Sequence, residues 1–253
     1  MSDTRPFRER LVAGEPLLGT FVKSPGVHGI EVLGEAGMHF VVIDAEHAPW
    51  DRSAIDLAVL ASRSQDMPVL VRVQGIGDIL TALDCGATGV MVPHVRDAET
   101  ARAVVAACRY RGGHRGFSNS PRAGRYGGLG LEDHLSASDA RTTVVAMLED
   151  VEAIDHVDAL VQVEGIDAFF LGRGDLTVAL GEARTDAPRV KAAVERLTQA
   201  VRAAGKTLCA FVGKSAEVPA LQALGVSSFI LSSDQGLLRQ AATAELAQFR
   251  SNT

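Results

Sequence analysis

At positions 37–43 the chain reads GMHFVVI, a glycine followed within three residues by an unbroken apolar run. The same pattern recurs after Gly86, Gly165, Gly205 and Gly225. A left-handed glycine ends a helix, and a strand that is apolar on both faces belongs to a parallel sheet covered by helices. Three further apolar runs complete eight predicted strands, at positions 17–22, 40–43, 69–73, 89–92, 143–148, 168–171, 208–211 and 229–231.

The stretches between these strands have helical spacing. Val190, Val194, Leu197 and Val201, for example, form one apolar stripe that would pack against a sheet. Eight strand and helix repeats in 253 residues predict one (β/α)8 barrel domain over 1–253, since about 250 residues is typical of that fold. The alternative, an open doubly wound sheet, requires a glycine-rich fingerprint after the first strand, and positions 18–26 do not supply it.

Composition excludes several classes of protein. The 25 Lys and Arg residues stand against 31 Asp and Glu, a formal charge of −6, so no basic excess is available for nucleic acid or an anionic membrane. The three cysteines, Cys85, Cys108 and Cys209, include no close pair, which argues against a disulfide framework or a thiolate metal site. Positions 1–10 contain no apolar leader, and no run approaches the roughly 18 residues of a membrane span. We therefore expect a cytoplasmic protein.

One segment breaks the strand and helix rhythm. Positions 111–138 are rich in Gly, Arg and Ser and far exceed the usual connection of about 2 to 6 residues. We expect a functional excursion from the barrel there.

Polar residues directly follow four of the predicted strands. In a barrel the carboxyl ends of the strands meet at one mouth, where active sites lie. We therefore expect these side chains to converge on one site: Asp44, Glu46 and His47 after the second strand, Arg72 within the third, Glu149 and Asp150 after the fifth, and Arg173 and Asp175 after the sixth.

Glu149 and Asp175 come from neighbouring strands and would form a hard oxygen site. Such a site suits Mg²⁺ or Mn²⁺ better than a structural zinc, with Co²⁺ as a further candidate. The alternative is that both acids sit in the first turns of helices, where Asp and Glu are common.

His47 and Arg72 are the candidates for proton transfer and charge stabilisation. His47 titrates nearest neutrality and is a natural general base, with Asp44 three residues earlier able to fix its tautomer. A lone loop histidine also packs or caps, so that alternative stays open. Arg72 within a barrel rim needs an anion, which a carboxylate substrate, an enolate or an ion pair with Asp44, Glu46 or Glu149 would supply.

Two further sequence features bear on chemistry. Gly172 and Gly174 leave backbone N–H groups free at the start of a helix, a place for a small carboxylate or phosphate. Lys23 and Lys214 follow the first and seventh strands, and a desolvated barrel lysine can form a Schiff base with a carbonyl substrate.

Six segments of the chain match motifs of a known family: DAEHAP at 44–49, VR at 71–72, GVMVP at 89–93, RG at 115–116, MLE at 147–149 and GRGDL at 172–176. Through these segments the sequence resembles the metal-dependent (class II) pyruvate aldolases of the HpcH/HpaI type, typified by 2,4-dihydroxyhept-2-ene-1,7-dioate aldolase and 2-dehydro-3-deoxyglucarate aldolase. The resemblance spans about positions 18–238.

The resemblance implies roles for residues at matching positions. Glu149 and Asp175 would ligate a divalent metal, Arg72 would stabilise the enolate, and His47 with Asp44 would form the base dyad. Asp84 matches a residue that the family directs toward a neighbouring subunit's site. The family fold is a (β/α)8 barrel whose last helix is exchanged between subunits, commonly in a hexamer.

The implied reaction is reversible aldol cleavage of 4-hydroxy-2-oxo acids to an aldehyde and a pyruvate or hydroxypyruvate enolate. The sequence departs from the family at Arg173, where many relatives have proline, at His94, and in the 111–138 excursion. These departures leave the aldehyde undetermined. The alternatives are a citrate-synthase-like or citramalate-lyase-like condensing enzyme, for which Arg122, Arg125 and Arg173 would line a larger pocket, and a catalytically silent metabolite-binding barrel.

The region after the eighth strand predicts assembly. Positions 235–249 carry an apolar stripe that a barrel would bury on itself or on a neighbour: Leu237, Leu238, Ala241, Ala242, Leu246 and Phe249. We expect an oligomer, and the resemblance favours a homo-hexamer.

Overall fold

The computed structural model describes residues 5–253 as a closed barrel of eight parallel strands, arranged in chain order. The first strand pairs with both the second and the eighth, which closes the sheet. This confirms the predicted (β/α)8 barrel. The strands are β1 Leu17–Val22, β2 Phe40–Asp44, β3 Val69–Arg72, β4 Gly89–Val92, β5 Thr143–Leu148, β6 Ala168–Leu171, β7 Thr207–Val212 and β8 Val226–Ser233.

Helices follow the strands and form the outer layer. The five glycines that marked helix ends in the sequence all have positive φ, between 66° and 93°. Among residues 5–253 no helix combines the length and apolarity needed to cross a membrane. The helices are α1 Phe7–Val12, α2 His28–Glu35, α3 Arg52–Ser64, α4 Ile79–Asp84, α5 Ala98–Cys108, α6 Leu131–Arg141, α7 Val151–Leu160, α8 Arg173–Ala179, α9 Pro188–Ala203, α10 Val218–Ala223 and α11 Asp234–Ser251, with 3-10 turns at Ile76–Asp78, Arg122–Gly127 and Ser215–Glu217.

The buried side chains form two layers, one between sheet and helices and one inside the barrel. Alternate strand residues point to opposite faces, so Phe40, Val42, Leu70 and Met147 fill the interior while their neighbours pack on the helices. Helix α1, which the sequence pattern did not predict, adds Phe7 and Leu11 to the interior layer. The ring centroids of Phe7 and Phe40 lie 5.2 Å apart.

The same alternation places three polar residues at the mouth of the barrel. Asp44, Arg72 and Glu149 each lie two positions beyond an interior residue, namely Val42, Leu70 and Met147. In the register of the sheet Asp44 pairs with Arg72. The strand period therefore continues the interior layer into a buried polar layer.

The 111–138 excursion folds into a 3-10 turn and α6 and packs against α3 and α4. Arg122 forms an ion pair with Asp56 of α3, with Nη2 2.6 Å from Oδ2. The Arg115 Nη2 lies 3.6 Å from Oδ1 of Asp84 at the end of α4. These ion pairs hold the excursion to the outer layer of helices.

Candidate active site

The centre of the mouth is a buried ion pair between Arg72 and Asp44. The Arg72 Nε donates to Oδ1 of Asp44 at 2.9 Å, and Nη2 lies 2.7 Å from Oδ2. The guanidinium carbon lies 4.7 Å from the centre of the Phe21 ring. The two-point contact and the stacking on the ring fix the plane of the guanidinium. Of the two kinds of partner predicted for Arg72, a bound anion or a carboxylate of the chain, the structure forms the ion pair with a carboxylate of the chain.

Lys23 and Glu46 complete this charge cluster. The Lys23 Nζ lies 3.0 Å from Oδ2 of Asp44, and the Arg72 Nε lies 3.3 Å from Oε2 of Glu46. Burial by itself raises the pKa of Asp44, but the hydrogen bonds and charges of Arg72 and Lys23 outweigh it and hold that pKa below its ordinary value. Asp44 is therefore an anion that orients both cations.

His47 lies at the exposed edge of the cluster, with 56% of its side chain accessible. Its main-chain N–H, rather than its ring, donates to Asp44, at 3.1 Å from Oδ1. The ring Nε2 lies 3.5 Å from Oε2 of Glu46. The spacing of Asp44 and His47 thus produces a main-chain contact, and Glu46 is the carboxylate beside the ring.

Glu149 is a buried carboxylate that directly follows β5, with 3% of its side chain accessible. Its Oε1 accepts a hydrogen bond from the His94 main chain at 2.9 Å. Burial is the largest cause that raises its pKa to about 7, and the charges of Asp175 and Glu46 add to it against the His94 hydrogen bond. The His94 ring, with Nδ1 3.6 Å from Oε1 of Glu149, is a nearby positive charge when protonated and lowers this pKa in part.

His94 and Asp150 stand next to Glu149, and neither was assigned a ligand role from the sequence. The His94 Nδ1 lies 3.1 Å from Oδ2 of Asp150 and 3.6 Å from Oε1 of Glu149. One ligand atom from each of these three residues lies within 4.8 Å of the others. His94 has a left-handed φ of 55°. The bend after β4 turns it toward β5, and no periodic pattern in the sequence predicts that bend.

A cavity of about 350 Å³ opens beside these residues. Arg72 and Asp175 contribute charge to its wall, and aromatic and thioether side chains give it an apolar face. Its lining includes Phe21, Met147, Phe170, Gly172, Gly174 and Phe211. We call this space the mouth cavity; it is large enough for a small organic acid.

Asp84 lies outside the mouth cavity of its own chain. It lines a separate cavity of about 630 Å³ together with Arg52, Ser120 and Arg122, and the two cavities share no lining residue. Burial raises the pKa of Asp84 despite the opposing charge of Arg115. Arg122 and Arg173, which would have lined one polycarboxylate pocket, are therefore not brought together within one chain.

A family model described as HpcH/HpaI aldolase/citrate lyase matches residues 17–241. The chain belongs to this HpcH/HpaI family. It is 32% identical to a hydroxypyruvate/pyruvate aldolase of Roseobacter denitrificans over 79% of both chains. It is also 32% identical to a 2-keto-3-deoxy-L-rhamnonate aldolase of Klebsiella pneumoniae over 99% of this chain and 95% of that protein. The solved structure of the citrate synthase SbnG superposes with a TM-score of 0.88, at 32% identity and 98% coverage of both chains.

The donor set at the mouth of this HpcH/HpaI family member fits a divalent metal. Burial and the charges of Asp175 and Glu46 raise the pKa of Glu149, so a positive charge at this position would stabilise the anion. Carboxylate oxygens with one nearby imidazole can hold Mg²⁺, Mn²⁺ or Co²⁺. The residues grouped here are thus able to hold a metal, and the donor atoms do not decide between these ions.

Gly172 is the backbone position that gives Glu149 its space. A Cβ added there would lie 2.4 Å from Cβ and 2.7 Å from Oε2 of Glu149. We expect Gly172→Ala to displace the carboxylate and weaken Mn²⁺ binding at least tenfold, measured by isothermal titration calorimetry. Gly174→Ala is the matched control for metal affinity, because an added Cβ at Gly174 meets nothing within 4 Å. Equal Mn²⁺ affinity in the two variants would contradict this role of Gly172.

Proposed function

We propose that the protein is a class II aldolase that reversibly cleaves 4-hydroxy-2-oxo acids into pyruvate or hydroxypyruvate and an aldehyde. One observation carries the proposal: the buried Glu149 carboxylate and the fixed Arg72 guanidinium share one barrel mouth with Asp175. This arrangement suits a 2-oxo acid, whose carboxylate and keto oxygens need a cation and a hydrogen-bond donor together. The named activities of the aldolase relatives support the same reaction.

In this proposal Glu149 and Asp175 would hold a divalent metal, with Mg²⁺ or Mn²⁺ preferred and Co²⁺ tolerated. Asp175 is not one of the three residues, His94, Glu149 and Asp150, whose ligand atoms lie within 4.8 Å of one another. When bound, the cation supplies Lewis-acid polarisation of the donor carbonyl. Arg72 donates to the 2-oxo oxygen as negative charge develops there, and Asp44 keeps its guanidinium in place at 2.7 to 2.9 Å. The backbone N–H groups near Gly172 and Gly174 bind the donor carboxylate.

His47 is the proposed base. In the cleavage direction it removes the proton of the 4-hydroxyl group, the C3–C4 bond breaks, the aldehyde leaves, and C3 then takes up a proton. The ring is accessible and lies beside Glu46, which favours proton exchange with solvent and with a carboxylate. Asp84 is proposed to serve the site of a neighbouring subunit, consistent with its position outside the mouth cavity of its own chain.

The defining experiment measures pyruvate release from a panel of 4-hydroxy-2-oxo acids before and after treatment with EDTA. We expect turnover to stop in EDTA and to return when Mg²⁺, Mn²⁺ or Co²⁺ is added. Turnover that persists in metal-stripped buffer would contradict the class II assignment. Absence of turnover on every acid, with metal present, would favour the silent metabolite-binding barrel.

The pH dependence of metal affinity follows from Glu149. Its pKa is raised to about 7, so a proton competes with the metal for this carboxylate below that pH. We expect the Mn²⁺ dissociation constant to rise about tenfold per pH unit as pH falls from 7 to 5.5, and to level off above about 7.5. Calorimetric titrations across this range check it; an affinity that stays constant down to pH 5.5 would remove Glu149 from the ligand set.

A homo-hexamer is part of the proposal. No residue of α11 is buried within one chain, and Leu238 and Phe249 are 72% and 65% exposed. Exposed apolar side chains along one helix favour burial against another copy. Light scattering at micromolar concentration should give the mass of six chains, and a monomer mass would refute the assembly. The three free cysteines are consistent with a cytoplasmic location, which we also propose.

The citrate-synthase-like alternative has one observation in its favour, the similarity to the SbnG citrate synthase. It requires a pocket for a larger polycarboxylate. Within one chain Arg122 is paired with Asp56 and lines a cavity apart from the mouth. The aldolase assignment therefore has the better support.

A further inference from the structure

Two cavities meet at a short wall on the β6 and β7 side of the barrel. The mouth cavity and a side cavity of about 330 Å³ share three lining residues: Arg173, Thr185 and Glu217. The side cavity extends between α9 and α10. The two spaces therefore adjoin at these three residues.

The wall contains an ion pair between Arg173 and Glu217, and both side chains also form hydrogen bonds with the main chain. The Arg173 Nη2 lies 3.1 Å from Oε2 of Glu217 and donates to the Phe211 carbonyl at 2.8 Å. The other Glu217 oxygen accepts from the main-chain N–H groups of Gly213 and Lys214, at 2.9 and 3.2 Å. Burial opposes the charge on Glu217, but these contacts keep its pKa below the ordinary value. The pair is therefore charged and fixed near neutral pH.

The side cavity is suited to an apolar chain. Val194 of α9 and Leu221 of α10 are 6% and 4% exposed and form its floor. Ala220 and Leu224 extend the apolar lining, while Lys191 contributes a positive charge and Asp186 and Glu195 contribute negative charges. Mixed charges with an apolar floor favour neither an anion nor a cation, but they accept methylene groups.

We propose that the Arg173–Glu217 ion pair is a specificity element that limits the length of the aldehyde at the mouth cavity. Opening the wall lets the distal apolar carbons of a longer aldehyde enter the side cavity. This inference rests on the proposed aldolase function, because it takes the mouth cavity as the place where the aldehyde forms.

The test compares acetaldehyde with hexanal as acceptors for pyruvate. We expect Arg173→Ala to raise the ratio of kcat/KM for hexanal to that for acetaldehyde at least tenfold. Adding Ala220→Phe to this variant places a ring at the side cavity and should return the ratio to within threefold of the wild-type value. Arg196→Ala is the matched control, since Arg196 forms an ion pair with Asp158 and does not line either cavity.

Metal binding separates a length limit from a loss of local structure. Arg173 lies two residues before Asp175, so a merely structural role would weaken Mn²⁺ binding in Arg173→Ala. We expect its Mn²⁺ dissociation constant to stay within threefold of the wild type. An unchanged hexanal ratio, a ratio that Ala220→Phe fails to reverse, or a large loss of Mn²⁺ affinity each overturns the inference while the aldolase function stands. A wild-type protein without aldolase turnover removes the proposed function and this inference with it.

Discussion

Glu149→Gln is expected to abolish metal-dependent turnover while the fold survives. The substitution removes the proposed anionic ligand without changing the size of the side chain. We expect kcat for pyruvate release to fall about 10³-fold, equal to ~4 kcal/mol of barrier. Asp175→Asn should have the same effect through the second carboxylate.

Although Glu149→Gln should abolish turnover, we expect it to stabilise the metal-free protein. Because the pKa of Glu149 is about 7 in the fold and 4.5 for the free side chain, the native state binds more protons than the unfolded chain between these values. Stability is therefore lost as pH rises from about 4.5 through 7, by up to roughly 3 kcal/mol for this group.

Glu149→Gln removes this cost, so at pH 8 the metal-free variant should melt several degrees above the metal-free wild type. The difference should shrink toward pH 4.5. Thermal melts followed by circular dichroism, in EDTA at both pH values, give the comparison. A variant that melts below the wild type at pH 8 would mean that Glu149 is satisfied within the protein and needs no cation.

The fold was predictable because its signals are local. A glycine that ends a helix and an apolar run that begins a strand lie within a few residues of each other, as at Gly37 and Phe40. The inward-facing positions of Asp44, Arg72 and Glu149 could also be predicted from the sequence, since each continues the two-residue period of its strand. Helix α1 was missed because six residues are too few to establish a helical period.

The contacts that were not predicted depend on loops and on long-range geometry. His94 reaches Asp150 and Glu149 through a left-handed turn, over a separation of more than 50 residues. Glu46 is next to His47 in the chain, but which carboxylate faces the ring depends on the bend after β2. The Arg173–Glu217 pair joins the start of α8 to the 3-10 turn Ser215–Glu217, across 44 residues of sequence. No periodicity in the sequence predicts such long-range contacts.

The roles of His47 and Arg72 are separable because oxaloacetate yields the pyruvate enolate by losing CO₂. That reaction breaks a C–C bond without removal of a hydroxyl proton, so it needs the charge on Arg72 but no base. Aldol cleavage must also remove the 4-hydroxyl proton, and a positioned base contributes about 10² to 10⁴-fold to such a step.

Arg72 substitutions need a check on folding, since Asp44 has no exposed surface and is paired with Arg72 and Lys23. Removing one partner of a buried ion pair costs about 3 to 5 kcal/mol. Arg72→Lys keeps a positive charge near Asp44 but loses the planar two-point geometry. We use it beside Arg72→Ala, and a loss of activity shared by both folded variants identifies the guanidinium itself.

We therefore expect His47→Ala to lose about 10² to 10⁴-fold in aldol cleavage and to keep oxaloacetate decarboxylation within about threefold of the wild type. Arg72→Ala and Arg72→Lys should lose both reactions. His47 is 56% exposed in its side chain and donates to Asp44 through the main chain, so its replacement leaves the buried cluster intact. If His47 only packs at the mouth, both rates fall by similar factors when both are measured on the same preparation. Parallel losses would remove its assignment as the base, whereas a loss confined to aldol cleavage ties the proton transfer to this ring.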